Sequence, residues 1–359
     1  MSNTLKLVLI TSTRWPYLRD IVDLMFLQSG LGYRFRYPRA NVQPQLLQDP
    51  RKLIGRKGYL VHAQTSQNET GPDTIHEFLP VREATVKDAK LFGKFLWIYF
   101  EVGDWISFSR DKPTGKNEHH VTVYDAAPSE SRDSLRLTLY EAPGLTLATI
   151  PDDQFGRLEE VMQNWIRIVD EMAKFPNHSG KKPAYLKMIS IRAKECESPL
   201  LPVALSGYES GYEVKSDTDY LTETFQYNPH GVPLKPFPFR LIVDERRIVP
   251  LVNEVTVLGK YDFFTMYFRP SATLRTYGTF MKFQIDAETD MRLSVGMHVR
   301  VLRGFGQLLG AIAVAAGIAL ASLGREIGQG TITYSSALFS LVAALIGFVG
   351  LYYSGRPRD

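Results

Sequence analysis

The sequence predicts a mainly β (α+β) fold: two β-rich domains with one long amphipathic helix, then a C-terminal transmembrane α-hairpin. Three observations predict it. Short runs rich in aromatic and β-branched residues, some alternating with period two, recur between residues 6 and 285. One long stripe of apolar residues has helical spacing. Two uncharged apolar runs of bilayer-spanning length lie near the C-terminus.

The composition bounds the rest. At 359 residues the chain is long enough for two domains of ~150 residues each. A hydrophobic content of 44% with 22% charged residues excludes a disordered chain. Lys and Arg number 42 against 38 acids, a net charge of +4. That excludes a wholesale polyanion binder but leaves room for a local basic patch. The single cysteine, Cys196, excludes an internal disulfide and a Cys-rich zinc site.

In the first half, strands are expected at 6–10, 33–37, 59–64, 95–100, 105–109, 120–124 and 135–140. A helix is expected over 14–27, with Leu18, Ile21, Val22, Met25 and Phe26 on one side and Pro16 in its first turn. The clearest helix spans 152–174, where Phe155, Leu158, Met162, Trp165, Val169 and Met172 recur at spacings of three and four. The Pro- and Gly-containing stretch 176–183 ends it and reads as a linker, which divides the chain into domains 1–176 and 184–290. Further strands are expected at 185–192, 223–227, 239–243, 254–258, 263–269 and 279–285. The prolines at 229, 233, 236 and 238 mark a loop or sheet edge.

The hairpin is expected over residues 304–354. Runs 305–323 and 335–353 carry no charge, and the turn 324–334 holds three glycines. Arg292, His298, Arg300 and Arg303 precede it and Arg356 and Arg358 follow, so the positive-inside rule places both flanks in the cytosol. Residues 5–10 are apolar apart from Lys6, but further charges follow at once, so no signal peptide is expected. The expected placement is integral to a membrane, with the bulk of the chain and both termini cytosolic. Small residues at four-residue spacing, Gly306, Gly310, Ala313, Gly317 and Ala321 in one run and Ser340, Ala343, Ala344 and Gly347 in the other, let helices approach closely. They pack the hairpin on itself or on other copies of the chain, making the bilayer and a homo-oligomer the expected partners.

Residues 244–323 begin with Asp244, Glu245, Arg246 and Arg247, continue through a strand to a turn at Gly259, and reach a second strand closing at Pro270. A third strand, 280–285, precedes a charged stretch and the first apolar run. This pattern resembles the GIDE-type membrane proteins, which include a membrane-anchored ubiquitin ligase. The resemblance implies a β-rich domain lying beside a membrane. It does not imply ligase activity, because those ligases use a zinc-bound RING and this chain has one cysteine.

No catalytic constellation emerges. The histidines form no spaced metal-ligand pair. Glu118, His119 and His120 are expected at a loop leading into a strand, where adjacent imidazoles face opposite sides and cannot grip one metal. Cys196 between Glu195 and Glu197 makes a poor nucleophile. Asp217, Asp219 and Glu223 resemble a fragment of a calcium loop without its glycine and read as an acidic turn. No phosphate-cradling glycine motif or nucleophile elbow is present. Catalytic residues, metal and cofactor are all expected to be none.

The most suggestive patch is basic. In a strand, Tyr33, Phe35 and Tyr37 share one face while Arg34 and Arg36 share the other, with Arg39 following. Arg51, Lys52, Arg56 and Lys57 come next. These cations are a solvated face, an anion or lipid contact, or a surface for stacking bases.

The expected function is a membrane-anchored, non-enzymatic sensor or effector. Its cytosolic domains bind an anionic ligand or a partner protein, and its hairpin self-associates or perturbs the membrane, as in signalling or defence. Nucleic acid is not expected as a partner. The alternatives are a passive membrane scaffold that recruits a cytosolic enzyme, and an enzyme whose dispersed site gathers Asp104, His120 and Asp125.

Overall fold

A computed structural model describes residues 5–13, 17–66, 74–110, 117–132, 135–174, 184–206, 209–232, 236–252, 254–273, 275–286 and 292–302. In chain order the first half holds β1 (Leu5–Ser12), α1 (Tyr17–Phe26), β2 (Gly32–Pro38), α2 (Pro44–Gln48), β3 (Lys57–Ser66), β4 (Thr74–Phe92) and β5 (Phe95–Ile106). It continues with α3 (Glu118–Ala126), α4 (Ser129–Arg132), β6 (Leu139–Pro143), β7 (Thr149–Ile150) and α5 (Glu159–Ala173). The second half holds β8 (Tyr185–Ala193), β9 (Val203–Ser206), β10 (Glu209–Lys215), β11 (Tyr220–Tyr227), β12 (Phe237–Ile242) and β13 (Ile248–Val252). Then come β14 (Glu254–Val257), β15 (Tyr261–Pro270), β16 (Tyr277–Asp286) and β17 (Arg292–Leu302).

The first sheet runs β2-β5-β4-β3-β1-β6, with β7 added beside β5. Strands β1 and β3 are parallel, and the chain between them includes α1. In β1, Leu7, Val8, Leu9 and Ile10 are all buried, the signature of a strand covered on both faces. Leu7 and Leu9 enter the main core with Ile21 and Met25 of α1. Val8 and Ile10 join a second cluster with Tyr59, Val61 and Val123 of α3.

The second half contains a six-stranded sheet, β14-β12-β16-β17-β10-β9, and a four-stranded sheet, β13-β15-β11-β8. One hydrophobic cluster takes side chains from both halves. Phe26 of α1 meets Phe283 of β16 at 5.2 Å between ring centroids, and Trp165 of α5 meets Phe225 of β11 at 5.6 Å.

A buried ionic cluster adds to this junction. Lys187 of β8 lies 2.8 Å from Asp152, and Arg82 of β4 lies 3.3 Å from the same carboxylate. The Trp105 indole donates to Asp152, and the Arg82 guanidinium lies 4.0 Å from the Trp105 ring centroid. Arg82 also donates to the carbonyls of Leu24, Leu27 and Gly103, and Lys187 to Leu27. Two cations thus take up carbonyls in the last turn of α1 and just beyond it, where the helix dipole is negative. Burial works against the Asp152 carboxylate, but the Lys187 and Arg82 charges outweigh it and hold the group below the usual carboxylate range. Burial lowers Lys187 to about 8 against the pull of Asp152.

The sequence expectation needs correcting in several places. Among the described residues no helix is long and apolar enough to cross a membrane, so a transmembrane hairpin and an integral-membrane placement are not supported. Among the described residues the fold class is mainly β, three sheets with few helices. Residues 304–354 lie outside the described residues. So do the packing positions Gly306, Gly310, Ala313, Gly317, Ala321, Ser340, Ala343, Ala344 and Gly347. The stretch just upstream is a strand and not the expected lead-in to a membrane helix. The charged stretch 292–302, taken as the lead-in to a membrane helix, is β17, paired with β16 and β10. Its Met297, Val299 and Val301 are buried between more exposed His298 and Arg300, an alternation of period two.

Residues 120–124, expected as a strand, belong to α3. The Asn117 side chain caps that helix by accepting from the His119 backbone, and this local bond overrides the β-branched composition. The stripe at 135–140 becomes a strand only from Leu139, and Leu135 takes a positive φ of 46°. The helix expected from 152 begins at Glu159, after a 3-10 turn at Asp152–Gln154, leaving Leu158 exposed.

Candidate functional site

A surface depression lies on the outer face of the first sheet at its β2 edge. It is a groove of about 570 Å³. Its floor is Arg34 of β2 with Trp97 and Tyr99 of β5, and one wall is Ala89, Lys90, Leu91 and Phe92 of β4. Gln48, Asp49, Pro50 and Arg51 form the other wall.

Alternation builds the floor. In β2, Phe35 and Tyr37 are buried while Arg34 and Arg36 face solvent. In β5, Leu96, Ile98 and Phe100 are buried while Phe95, Trp97 and Tyr99 alternate with them on the outer face. The antiparallel register sets Arg34 opposite Tyr99 and Arg36 opposite Trp97. Each arginine leans along the strand onto the next ring. The Arg34 guanidinium is 4.8 Å from the Trp97 centroid and 5.8 Å from that of Tyr99, and Arg36 is 5.6 Å from that of Phe95. Diagonal cross-strand neighbours are within reach for side chains of this length.

Two local features set the walls. Phe92 pairs with Phe95 across a two-residue turn in which Gly93 has φ 57°, a conformation that suits glycine. The tight turn leaves Phe92 at the rim, 77% exposed. On the other side, Leu46 and Leu53 bury their side chains and pin the segment between them. Gly55 N–H donates to Val86 O at 2.8 Å, and Val86 N–H donates to Arg56 O at 2.9 Å, which ties that segment to β4. Arg51 is thereby held at the groove.

The charge balance favours an anion. Among the described residues, neither Arg34 nor Arg51 has a carboxylate partner or a side-chain hydrogen bond. Lys90 pairs with Asp88 at 2.8 Å. Asp49 and Lys52 approach only to 3.8 Å with both side chains largely exposed, a weak pair.

Of the seven basic residues singled out by sequence, Arg34 and Arg51 both line the groove. Arg36 continues the same face towards Phe95. Arg39 begins the 3-10 turn Arg39–Asn41 after β2, and Lys52 is at the surface beside Asp49. Arg56 turns away to pair with Glu141, and Lys57 is exposed at the start of β3. Trp97, Tyr99, Phe92 and Lys90 were missed. The alternation in β5 was a usable signal, but the pairing of β5 with β2 joins residues more than 60 positions apart.

The remaining candidates stand apart. His119 donates to Ser107 O at 2.9 Å, while His120 accepts from the Phe78 N–H and stacks on the Phe78 ring. Asp104 accepts from the Ser29 hydroxyl and from the Asp152 N–H. Asp219 pairs with Arg269, and Glu223 accepts from Ser190. Cys196 is exposed. Among the described residues no group of three or more His, Cys, Asp or Glu could hold a metal ion.

A buried polar cluster occupies the C-terminal ends of the parallel strands β1 and β3. Thr11 meets His62 Nδ1 at 3.2 Å, and burial lowers His62 to about 3, so its ring is neutral. Gln64 donates to the Glu171 carbonyl, and Arg110 and Lys174 pair with the Glu171 carboxylate. Burial, then the neighbouring Glu77 charge, raises Glu171 to about 7 against Arg110.

No protein-family model matches the chain, and no curated protein matches it, so the likeness of residues 244–323 to GIDE-type proteins rests on those residues alone.

Proposed function

We propose that the chain is a non-enzymatic binding protein, the recognition part of a sensor, and that the groove on its first sheet takes an anionic ligand. One observation carries this reading: Arg34 and Arg51 line a groove with Trp97 and Tyr99 while lacking a carboxylate partner among the described residues. Exposed arginines are commonly solvated, but two held over one concave, partly apolar surface suit a bidentate oxyanion. The ionic cluster Arg82–Asp152–Lys187 gives such a sensor a rigid link, because it ties β4, which lines the groove, to β8 of the second half.

The test is calorimetric titration of the full chain with inorganic phosphate at low and high salt. The reading expects saturable binding that weakens with salt. It expects at least tenfold weaker binding in the double variant Arg34→Ala/Arg51→Ala, which keeps the parent circular dichroism spectrum. Absence of saturable binding, or binding that ignores the double substitution, contradicts it.

A further inference from the structure

The geometry of the groove points to a nucleoside monophosphate, a planar heterocycle carrying one phosphate, as the ligand class. This deepens the anion-site reading and rests on it. Three features favour a ring-bearing ligand over a bare oxyanion. The first is size. A volume of about 570 Å³ falls within the ~300–1,000 Å³ range that encloses drug-sized molecules, and a lone phosphate would leave most of it wet.

The second is the arrangement of flat surfaces. Arg34 lies over Trp97, with Tyr99 beside it and Phe92 exposed at the rim. Guanidinium planes and aromatic rings are the two surfaces on which bases stack. A heterocycle entering beside Phe92 and Tyr99 has a stacking face, while its phosphate reaches Arg51 and the open edge of Arg34.

The third is the acid in the wall. Among the described residues the Asp49 carboxylate has only the long contact to Lys52, and Gln48 stands next to it. A carboxylate there repels a polyanion but accepts from ring amino groups and sugar hydroxyls. One phosphate on a hydrogen-bonding nucleoside satisfies both ends of the groove, whereas a polyphosphate or a long nucleic acid sets further negative charge against Asp49.

The experiment is calorimetric titration of the full chain with AMP, GMP, adenosine, inorganic phosphate and a single-stranded oligonucleotide. The inference expects AMP or GMP to bind at least tenfold tighter than both adenosine and inorganic phosphate. Arg51→Ala should bring the nucleotide down to the affinity of adenosine. Trp97→Leu should cost fivefold or more, while Trp97→Phe retains most of the affinity. Equal binding of nucleotide and inorganic phosphate overturns the nucleotide assignment and leaves the anion site standing. An oligonucleotide binding tenfold tighter than either mononucleotide overturns it in favour of a strand-tracking surface. Binding of none of the five overturns both readings. Neither side chain is buried in the core, so circular dichroism spectra of the variants should match that of the parent chain.

Discussion

Arg34 rests its guanidinium 4.8 Å from the centre of the Trp97 ring, two residues along β5 from Tyr99, which lies directly opposite it. The contact orients a cation that has no acid partner among the described residues, so the arginine keeps its hydrogen-bonding edge open. Exposed cation–π pairs are worth about 0.5–1 kcal/mol. A double-mutant cycle on Arg34→Ala and Trp97→Leu, read by urea denaturation, should give a coupling in that range. A coupling near zero means that Arg34 is solvated and not positioned.

The buried cluster makes an asymmetric prediction. Asp152 is the carboxylate between Arg82 and Lys187, and the two cations disfavour each other. Asp152→Asn removes the counter-charge from both and should cost about 3–5 kcal/mol in denaturant unfolding, the range for breaking a buried ion pair. Lys187→Met leaves Arg82 paired with Asp152 and fills the space with apolar volume, so it should cost less. If Lys187→Met is the more damaging of the two, the cluster is not held together by charge.

Glu171 should make stability fall as pH rises. Its folded-state pKa is raised from 4.5 to about 7 by burial and the Glu77 charge. Between those values the unfolded chain has lost the proton that the folded chain still holds, so unfolding releases a proton and becomes easier as pH climbs. Below 4.5 both states are protonated and above 7 both are ionised, and this contribution is flat. Thermal melts of Glu171→Gln and the parent chain, taken from pH 4 to 8, should diverge across that window, with the variant gaining relative stability as pH rises. Parallel profiles contradict the raised value.

Gly58 is the clearest close-packing position of the first sheet. A Cβ added there would sit 2.5 Å from the Leu7 carbonyl oxygen, across the parallel β1–β3 pair. Backbone cannot yield as a side chain does, so Gly58→Ala should destabilise the chain by about 1–3 kcal/mol. Gly55→Ala has open space around its Cβ, and its cost comes from φ 81° alone. A neutral Gly58→Ala would show that β1 and β3 can separate.

How much of this was legible depended on range. The alternation in β2 was readable from adjacent residues, and it placed Arg34 and Arg36 on one face correctly. The aromatic floor was not readable, because Trp97 and Lys90 reach Arg34 only through long-range strand pairing. Lys187 and Arg82 sat inside apolar runs, an unusual place for a cation, but their shared partner Asp152 depends on tertiary folding. His120 was misplaced because the β-branched residues around it favour a strand, whereas the cap at Asn117 starts a helix. β17 was misread for a different reason. Its alternation is plain, but its position beside an uncharged run of bilayer length drew it into a membrane reading.

The most direct measurement is a fluorine NMR titration of the full chain labelled with fluorotryptophan, using AMP or GMP as the probe and Trp97→Phe to assign one of the four indoles. The account predicts that the Trp97 resonance moves saturably while those of the buried Trp105 and Trp165 stay in place. A Trp97 signal that does not move at ligand saturation, or a shift confined to the buried indoles, would contradict it.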